Sequence, residues 1–222
     1  MPLNSIRRRD DPLGAIRGFS LIELLLALSL GIGLSGTILQ LLISESDLGL
    51  RVNRLLRERS VQQRTLALIR DDVQRASRIS STPQLEQHAC SLAGRLPVLH
   101  LSTAAGPITY SVGTAPSSIW RGQVLMRCGP AFGLVGEPNR GSQSQNRVIL
   151  DRLAETVPRW GNCSRLLNAG ELVLDLSGSA RRSASACLQP STGLLALRLE
   201  QEFPAVGGTM RLSSERVLSV LP

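Results

Sequence analysis

The chain has 222 residues and a formal net charge of +8, and because it contains no lysine, arginine supplies all of its positive side chains. Only 3% of the residues are aromatic, which leaves few surfaces on which single-stranded bases could stack. Its two histidines come without H-E-x-x-H, G-x-S-x-G or a phosphate-binding glycine loop, so the sequence offers no apparatus for catalysis and predicts no metal or cofactor.

The first 18 residues form a short basic leader. It carries four arginines against two aspartates, which favours retention of this end in the cytoplasm. Four further arginines between residues 51 and 59 lie beyond the following apolar segment, so charge alone does not fix the orientation.

An apolar segment follows at residues 19–43, with Glu23 as its single charge. As a helix it would span about 37 Å, enough to cross a bilayer core of about 30 Å. It is too long for the apolar core of a secretory signal, and a long polar stretch follows it instead of a small-x-small cleavage site. We therefore expect a transmembrane helix that stays in the mature protein, and an intramembrane carboxylate is by default a functional group.

The junction Arg17-Gly18-Phe19-Ser20-Leu21-Ile22-Glu23 resembles that of the type IV prepilins and of the pseudopilins of type II secretion and competence systems. In that family a basic leader ends in Gly, Phe follows, and Glu is the fifth residue of the mature chain. The resemblance implies that a prepilin peptidase cuts after Gly18 and methylates the new amino group of Phe19. Glu23 would then face the N-terminal amine of a neighbouring subunit. A signal anchor with one chance Glu is the alternative interpretation.

The resemblance also implies a single-pass protein of the inner (cytoplasmic) membrane, with its head outside the cytoplasm. Its partners would be the peptidase, other pilin or pseudopilin subunits, the membrane and the inner-membrane assembly platform. After assembly it would belong to a pilus or a periplasmic pseudopilus. Residues 63–79, with the short stretches 108–110, 120–121 and 148–151, look like the larger minor pilins of the PilW type and the J pseudopilin of type II secretion.

Residues 44–80 are predicted to continue the span as an amphipathic helix. Proline is absent from the apolar segment up to Pro83, and apolar residues recur with helical spacing at Leu48, Val52, Leu55, Leu66, Ile69, Val73 and Ala76. Arg59 and Gln62 interrupt this stripe, which predicts weaker packing in its middle. An independent coiled coil is the alternative to a helix whose last turns pack on a globular head.

Residues 81–222 are predicted to form one β-rich head, which makes the fold class α+β with a long helix packed on an antiparallel sheet, as in pilins. Turn residues, notably in the long loop at 133–146, separate the strand-like runs. These runs are residues 98–101, 108–112, 123–127, 147–150, 172–176, 194–199 and 211–220.

Cys90, Cys128, Cys163 and Cys187 all lie in the predicted head. Four cysteines allow three pairings, and an oxidising compartment permits two disulfides. Their separations of 38, 35 and 24 residues lack the close ligand pairs of a structural zinc site. We favour the pairs Cys90–Cys128 and Cys163–Cys187. The alternative is that one or more of the cysteines is a buried free thiol.

Three classes of function stay open. The first is a structural and assembly subunit that is the substrate of an enzyme and not one itself. The second is a tip-located pilin whose head binds DNA or a surface, for which Arg181 and Arg182 are the best local phosphate ligands, although a solvated loop is the simpler interpretation of that pair. The third, a membrane-anchored enzyme, would need a convergent polar pocket. His88 lies in a polar loop and His100 in a strand-like run, and each is expected to be a surface or core residue and not a catalytic one.

Overall fold

The fold is taken from a computed structural model that describes residues 20–134, 136–157, 160, 163, 166–167, 172–176, 182–205 and 208–219. The side chains of residues 44–48 are outside this description. The chain divides into two compact units, Met1–Arg54 and Leu55–Pro222, called below the N-terminal unit and the C-terminal unit.

The architecture is α+β, with one long helix followed by an antiparallel sheet. The helix α1 spans Leu21–Gln74. The strands are β1 (Ala76–Ile79), β2 (Leu96–Thr103), β3 (Gly106–Thr114), β4 (Gln123–Gly129), β5 (Gln145–Leu153), β6 (Leu174–Asp175), β7 (Ala184–Gln189), β8 (Leu194–Ala205) and β9 (Gly208–Ser219).

The N-terminal unit contains the apolar part of α1. Among the described residues, Leu21–Ile43 is the one helical segment long and apolar enough to cross a membrane, with a mean hydropathy of 1.9. Its leucines and isoleucines are between 50% and 77% exposed. So large an apolar surface requires a lipid or protein partner. A membrane anchor and a signal sequence both have these properties.

In the C-terminal unit, the rest of α1 packs one face on the sheet. The buried helix residues recur every three or four positions, as expected for a helix with one apolar face. They are Gln62, Thr65, Leu66, Ile69, Asp72 and Val73. The apolar members join a core to which strands β1 to β5 and β7 to β9 contribute buried side chains.

The predicted helix to residue 80 is too long, because α1 ends at Gln74 and Ala76–Ile79 form β1. Strand β1 pairs with β2, and the amide of Ser80 donates to the carbonyl of His100 at 2.9 Å. Ala76 is buried as predicted, but as a strand residue. Pairing with a distant strand has here overridden a helix-compatible local sequence.

The strands form one sheet in the order β1-β2-β3-β4-β5-β8-β7-β6, and β9 also pairs with β8. Every described pair is antiparallel. Strand β8 connects the two halves: it meets β5 at Leu153↔Gln201, and it pairs with β9 from Leu194↔Ser219 to Ala205↔Gly208. The Gln201 side chain strengthens the narrow junction by donating to the carbonyl of Asp151 at 2.8 Å.

All seven predicted strand runs coincide with or overlap observed strands, whereas β1 and β7 were not predicted. Two disulfides are present, Cys90–Cys128 and Cys163–Cys187. These are the two pairs favoured from the sequence, and all four sulfurs are therefore oxidised.

Candidate functional site

Two side chains close the N-terminal end of α1. The backbone amide of Ser20 donates to Glu23 Oε2 at 3.1 Å, and the amide of Glu23 donates to Ser20 Oγ at 3.3 Å. This reciprocal arrangement is a capping box, which satisfies two amides that the helix cannot bond internally. A carboxylate at this end also interacts favourably with the helix dipole.

The capping box places Glu23 at the start of the candidate membrane segment. Gly18 and Phe19, the predicted processing and methylation positions, lie outside the described residues. The Ser-x-x-Glu spacing is a local sequence signal that identifies the capping box, although the prediction assigned Glu23 only a role between subunits. The carboxylate therefore caps the N-terminus of its own helix.

A buried ion pair fixes α1 to the sheet in the C-terminal unit. Arg127 Nε donates to Asp72 Oδ2 at 2.6 Å and Arg127 Nη2 donates to Asp72 Oδ1 at 3.1 Å, a bidentate contact. The Tyr110 hydroxyl donates to Asp72 Oδ2 at 2.5 Å. Arg127 Nη1 donates to the carbonyl of Pro130 at 3.2 Å, and its guanidinium lies over the ring of Phe132.

Burial and the Asp72 carboxylate raise the pKa of the Tyr110 hydroxyl well above its ordinary value. Burial opposes the charge of Arg127, but hydrogen bonding and attraction to Asp72 outweigh it and raise the pKa of the guanidinium. The Arg127 and Asp72 side chains are 5% and 0% exposed, and Tyr110 is 1% exposed. A substrate could not reach this cluster, so its role is to hold α1 on β3 and β4.

Adjacent carboxylates on α1 diverge, as the sequence predicts. Asp71 lies at the surface and bonds Arg70 at 3.2 Å, whereas Asp72 points into the core. The two therefore do not converge on one substrate. The sequence did not indicate that Asp72 accepts buried hydrogen bonds from Arg127 and Tyr110.

Gln62 is a second attachment of α1, which corrects the expectation of weak packing at this position. It is 0% exposed, and its Nε2 donates to the carbonyl of Leu212 on β9 at 3.1 Å. The hydroxyl of Ser214 donates to Gln62 Oε1 at 2.6 Å. The amide thus fills a polar position in the interface without leaving a buried group unsatisfied.

We expect Gln62→Leu to lower the free energy of unfolding by about 1–3 kcal/mol, because the buried carbonyl of Leu212 would lose its donor and the half-buried Ser214 its acceptor. Urea denaturation of the detergent-solubilised chain measures the loss. The matched control is the neighbouring Gln63, which is exposed and bonds Arg216 at 2.7 Å. Gln63→Leu should change stability by less than about 0.5 kcal/mol, and equal effects at both positions would contradict the role of Gln62.

Both histidines meet at one hydroxyl, a proximity that the sequence did not indicate. His88 Nδ1 lies 3.1 Å and His100 Nδ1 2.8 Å from Thr109 Oγ1. Their ring centroids are 5.4 Å apart, with the rings nearly edge to face. Among the described residues, no group of three His, Cys, Asp or Glu side chains is arranged to hold a metal ion.

The arginine pair proposed for phosphate binding is only half described, because Arg181 lies outside the described residues. Arg182 is partly buried, and burial lowers the pKa of its guanidinium. Its carbonyl accepts bonds from Ser185 Oγ at 2.9 Å and Arg198 Nη2 at 3.3 Å. Burial of Arg182 does not favour contact with a nucleic acid backbone.

No family model, curated protein or solved structure matches the chain.

Proposed function

We propose that the chain is a structural and assembly subunit of the minor-pilin type, carried into a pilus or pseudopilus by its apolar helix. A prepilin peptidase would cut after Gly18 and methylate Phe19, and Glu23 would engage a neighbouring subunit. The observation that carries the proposal is the position of Glu23 in a capping box at the start of an exposed 23-residue apolar helical segment.

The apolar segment supplies the physical argument. A charged group within lipid costs about 2.5–3.5 kcal/mol at the centre of a span and less near its ends, so Glu23 would be retained only with a compensating partner. Ser20 supplies part of that compensation within the chain. The protonated amine of a neighbouring Phe19 would supply the opposite charge, because two groups that are each costly in an apolar bundle are tolerable as a pair.

The disulfides support a location of the C-terminal unit outside the cytoplasm, where such bonds persist. The membrane would then be the inner membrane, crossed once. The assembly partners would be other subunits and the inner-membrane platform. We propose that the chain shares its architecture with the minor subunits of the PilW type and the J pseudopilin type.

The direct test is the N-terminal mass of the chain expressed with and without a prepilin peptidase. A product that begins at N-methylated Phe19 only with the peptidase supports the proposal. A chain that still begins at Met1, or one cut beyond residue 43 by ordinary signal peptidase, would overturn it. Deletion in the source cell adds a second test: lost fibres support assembly, whereas intact fibres without adhesion or DNA uptake would favour a binding pilin.

Two substitutions at the capping box separate assembly from helix capping. Glu23→Gln keeps an acceptor for the Ser20 amide but removes the charge, so we expect normal processing and at least about tenfold less incorporation into fibres, equivalent to about 1.4 kcal/mol per subunit. Ser20→Ala keeps the charge and weakens the cap by about 0.5–2 kcal/mol, and it should assemble. Quantitative blotting of sheared fibres gives both values, and full incorporation of Glu23→Gln would contradict the pairing.

A further inference from the structure

The segment that connects β1 to β2 is held to the rest of the C-terminal unit by side-chain contacts. Residues 81–89 of it are called here the clasp. Pro83 is its one buried residue, and the others are exposed or half-buried. The Ser80 amide bonds β2 at one end of the clasp, and the Cys90–Cys128 disulfide fixes the other end to β4.

Three polar contacts hold the clasp between those two fixed points. Glu86 Oε1 accepts from Ser80 Oγ at 2.7 Å and from Arg78 Nη2 at 3.3 Å. His88 Nδ1 meets Thr109 Oγ1 on β3, the atom that His100 Nδ1 on β2 also meets. The Gln84 side chain donates to the carbonyl of Leu176 at 3.0 Å.

The shared hydroxyl limits how many protons the two rings can carry. Thr109 has one hydroxyl hydrogen, so one histidine accepts it through a bare Nδ1, and the other can donate its own N–H to the oxygen. If both rings were protonated, both Nδ1 atoms would be donors, and the hydroxyl hydrogen would lose its acceptor. Two cations would also face each other with their ring centroids 5.4 Å apart. The closed contact therefore requires at least one neutral histidine.

We propose that the clasp is acid-sensitive: protonation of the His88–Thr109–His100 contact releases residues 81–89 from the sheet, while the Cys90–Cys128 disulfide keeps the released segment tethered. The physiological meaning rests on the proposed function, because a C-terminal unit outside the cytoplasm experiences the external pH. The release is local, since both ends of the clasp stay bonded to the sheet.

The charged groups around the His88–Thr109–His100 contact are consistent with opening of the clasp at low pH. Burial lowers the pKa of His100 below its ordinary value of 6.5, with the Glu86 carboxylate acting in the opposite sense and His88 and Arg78 adding to the decrease. The Ser80 hydroxyl, followed by Arg78 and the histidines, lowers the pKa of Glu86, so its carboxylate persists over the pH range in which His100 gains a proton. Glu86 and His88 lie on the clasp, Arg78 on β1 and His100 on β2.

The sign of the effect follows from linkage. An open clasp exposes His100 to solvent, where its pKa returns toward 6.5, so the open state binds more protons than the closed state. The contribution of His100 to closure is therefore fully present above about pH 6.5 and is lost as the pH falls toward the pKa of the closed state. The ratio of open to closed rises by up to about tenfold per pH unit until the pKa of the closed state is reached.

The test is hydrogen exchange of the oxidised full chain in detergent micelles between pH 7.5 and 5.0, corrected for intrinsic exchange rates. We expect protection of the Leu85 amide, which donates to the carbonyl of Thr82 at 3.0 Å within the clasp, to fall at least about threefold between pH 7 and pH 5.5, while β8 and β9 stay protected. The two histidines are the only ones in the chain, so NMR titration of their ring protons, assigned with His88→Gln, reports the same transition.

Two substitutions at one position provide the matched pair. Thr109→Val removes the shared hydroxyl and should leave the clasp open at pH 7, with no further change on acidification. Thr109→Ser keeps the hydroxyl and should restore the pH dependence. Unchanged protection of the clasp down to pH 5, or a parallel loss across β8 and β9, would overturn the proposal. Cleavage after Gly18 is measured in a separate experiment. A negative exchange result would therefore overturn the acid-sensitive clasp but not the proposed function, and a negative cleavage result would overturn the proposed function but not the clasp.

Discussion

Replacement of Arg127 by leucine is expected to lower the free energy of unfolding of the C-terminal unit by about 3–5 kcal/mol, among the largest effects of any single substitution in the chain. The change removes both charged hydrogen bonds to Asp72, which is 0% exposed, and leaves its carboxylate with Tyr110 as the remaining partner that the structure shows. A buried charge without its counterion is far more costly than the intact pair is stabilising.

Urea denaturation, followed by the fluorescence of both tryptophans, the partly exposed Trp120 and the buried Trp160, measures the loss. The matched control is Arg64→Leu, which removes the same charge from an exposed position of α1 and should change stability by less than about 0.5 kcal/mol. Tyr110→Phe removes one hydrogen bond and should cost about 1–3 kcal/mol. A loss below about 1 kcal/mol for Arg127→Leu would contradict the role of the ion pair.

The double variant Asp72→Leu, Arg127→Leu tests whether the pair supplies stability or specifies the position of the helix. A buried ion pair replaced by apolar side chains of similar volume is often neutral. We therefore expect the double variant to recover at least about half of the loss seen with Arg127→Leu alone, and the double-mutant cycle gives the coupling. Recovery would mean that the pair chiefly fixes which face of α1 meets β3 and β4.

The α+β class and most strands were predictable because they depend on local patterns. The apolar run of α1 and the spacing of Leu66, Ile69 and Val73 are visible in the sequence. Strand β7 was missed because Ala184–Gln189 begins with small residues of weak strand propensity and its polar-apolar alternation stops after Ala186, although all six residues are buried. Strand β1 was missed because its conformation depends on pairing with β2, about 25 residues further along the chain.

The polar contacts of the C-terminal unit were not predictable, because their partners lie far apart in the chain. Gln62 and Leu212 are 150 residues apart, and Asp72 and Arg127 are 55 residues apart. In the sequence alone, a polar residue within the apolar stripe of a helix indicates weaker packing at that position. It is recognised as a buried contact only when its distant hydrogen-bond partner is known. The capping box of Ser20 and Glu23 is different, since three residues separate its members and the motif can be recognised directly.

The second large effect is expected at the Cys163–Cys187 disulfide. The double variant Cys163→Ala, Cys187→Ala should lower the free energy of unfolding by about 3 kcal/mol, because a closed loop of this length restricts the unfolded chain by about that amount. The bond also borders a small second core formed by Trp160, Leu167, Cys187 and Ala196. We expect that core to loosen in the folded state as well.

The disulfide can act by restricting the unfolded chain or by holding the second core together in the folded state. Trp160 distinguishes the two effects, because it is 3% exposed in the intact chain and would gain exposure only if the folded core loosened. The matched control is Cys90→Ala, Cys128→Ala, which opens the other disulfide, whose cysteines are 38 residues apart, and should cost about the same free energy without exposing Trp160. Both variants are compared in a Trp120→Phe background, which leaves Trp160 as the one tryptophan. A red shift of its emission and faster acrylamide quenching are then expected only for the Cys163 and Cys187 variant under native conditions. If both variants keep Trp160 shielded, the disulfide acts through the unfolded chain alone, and the second core is held by its own apolar contacts.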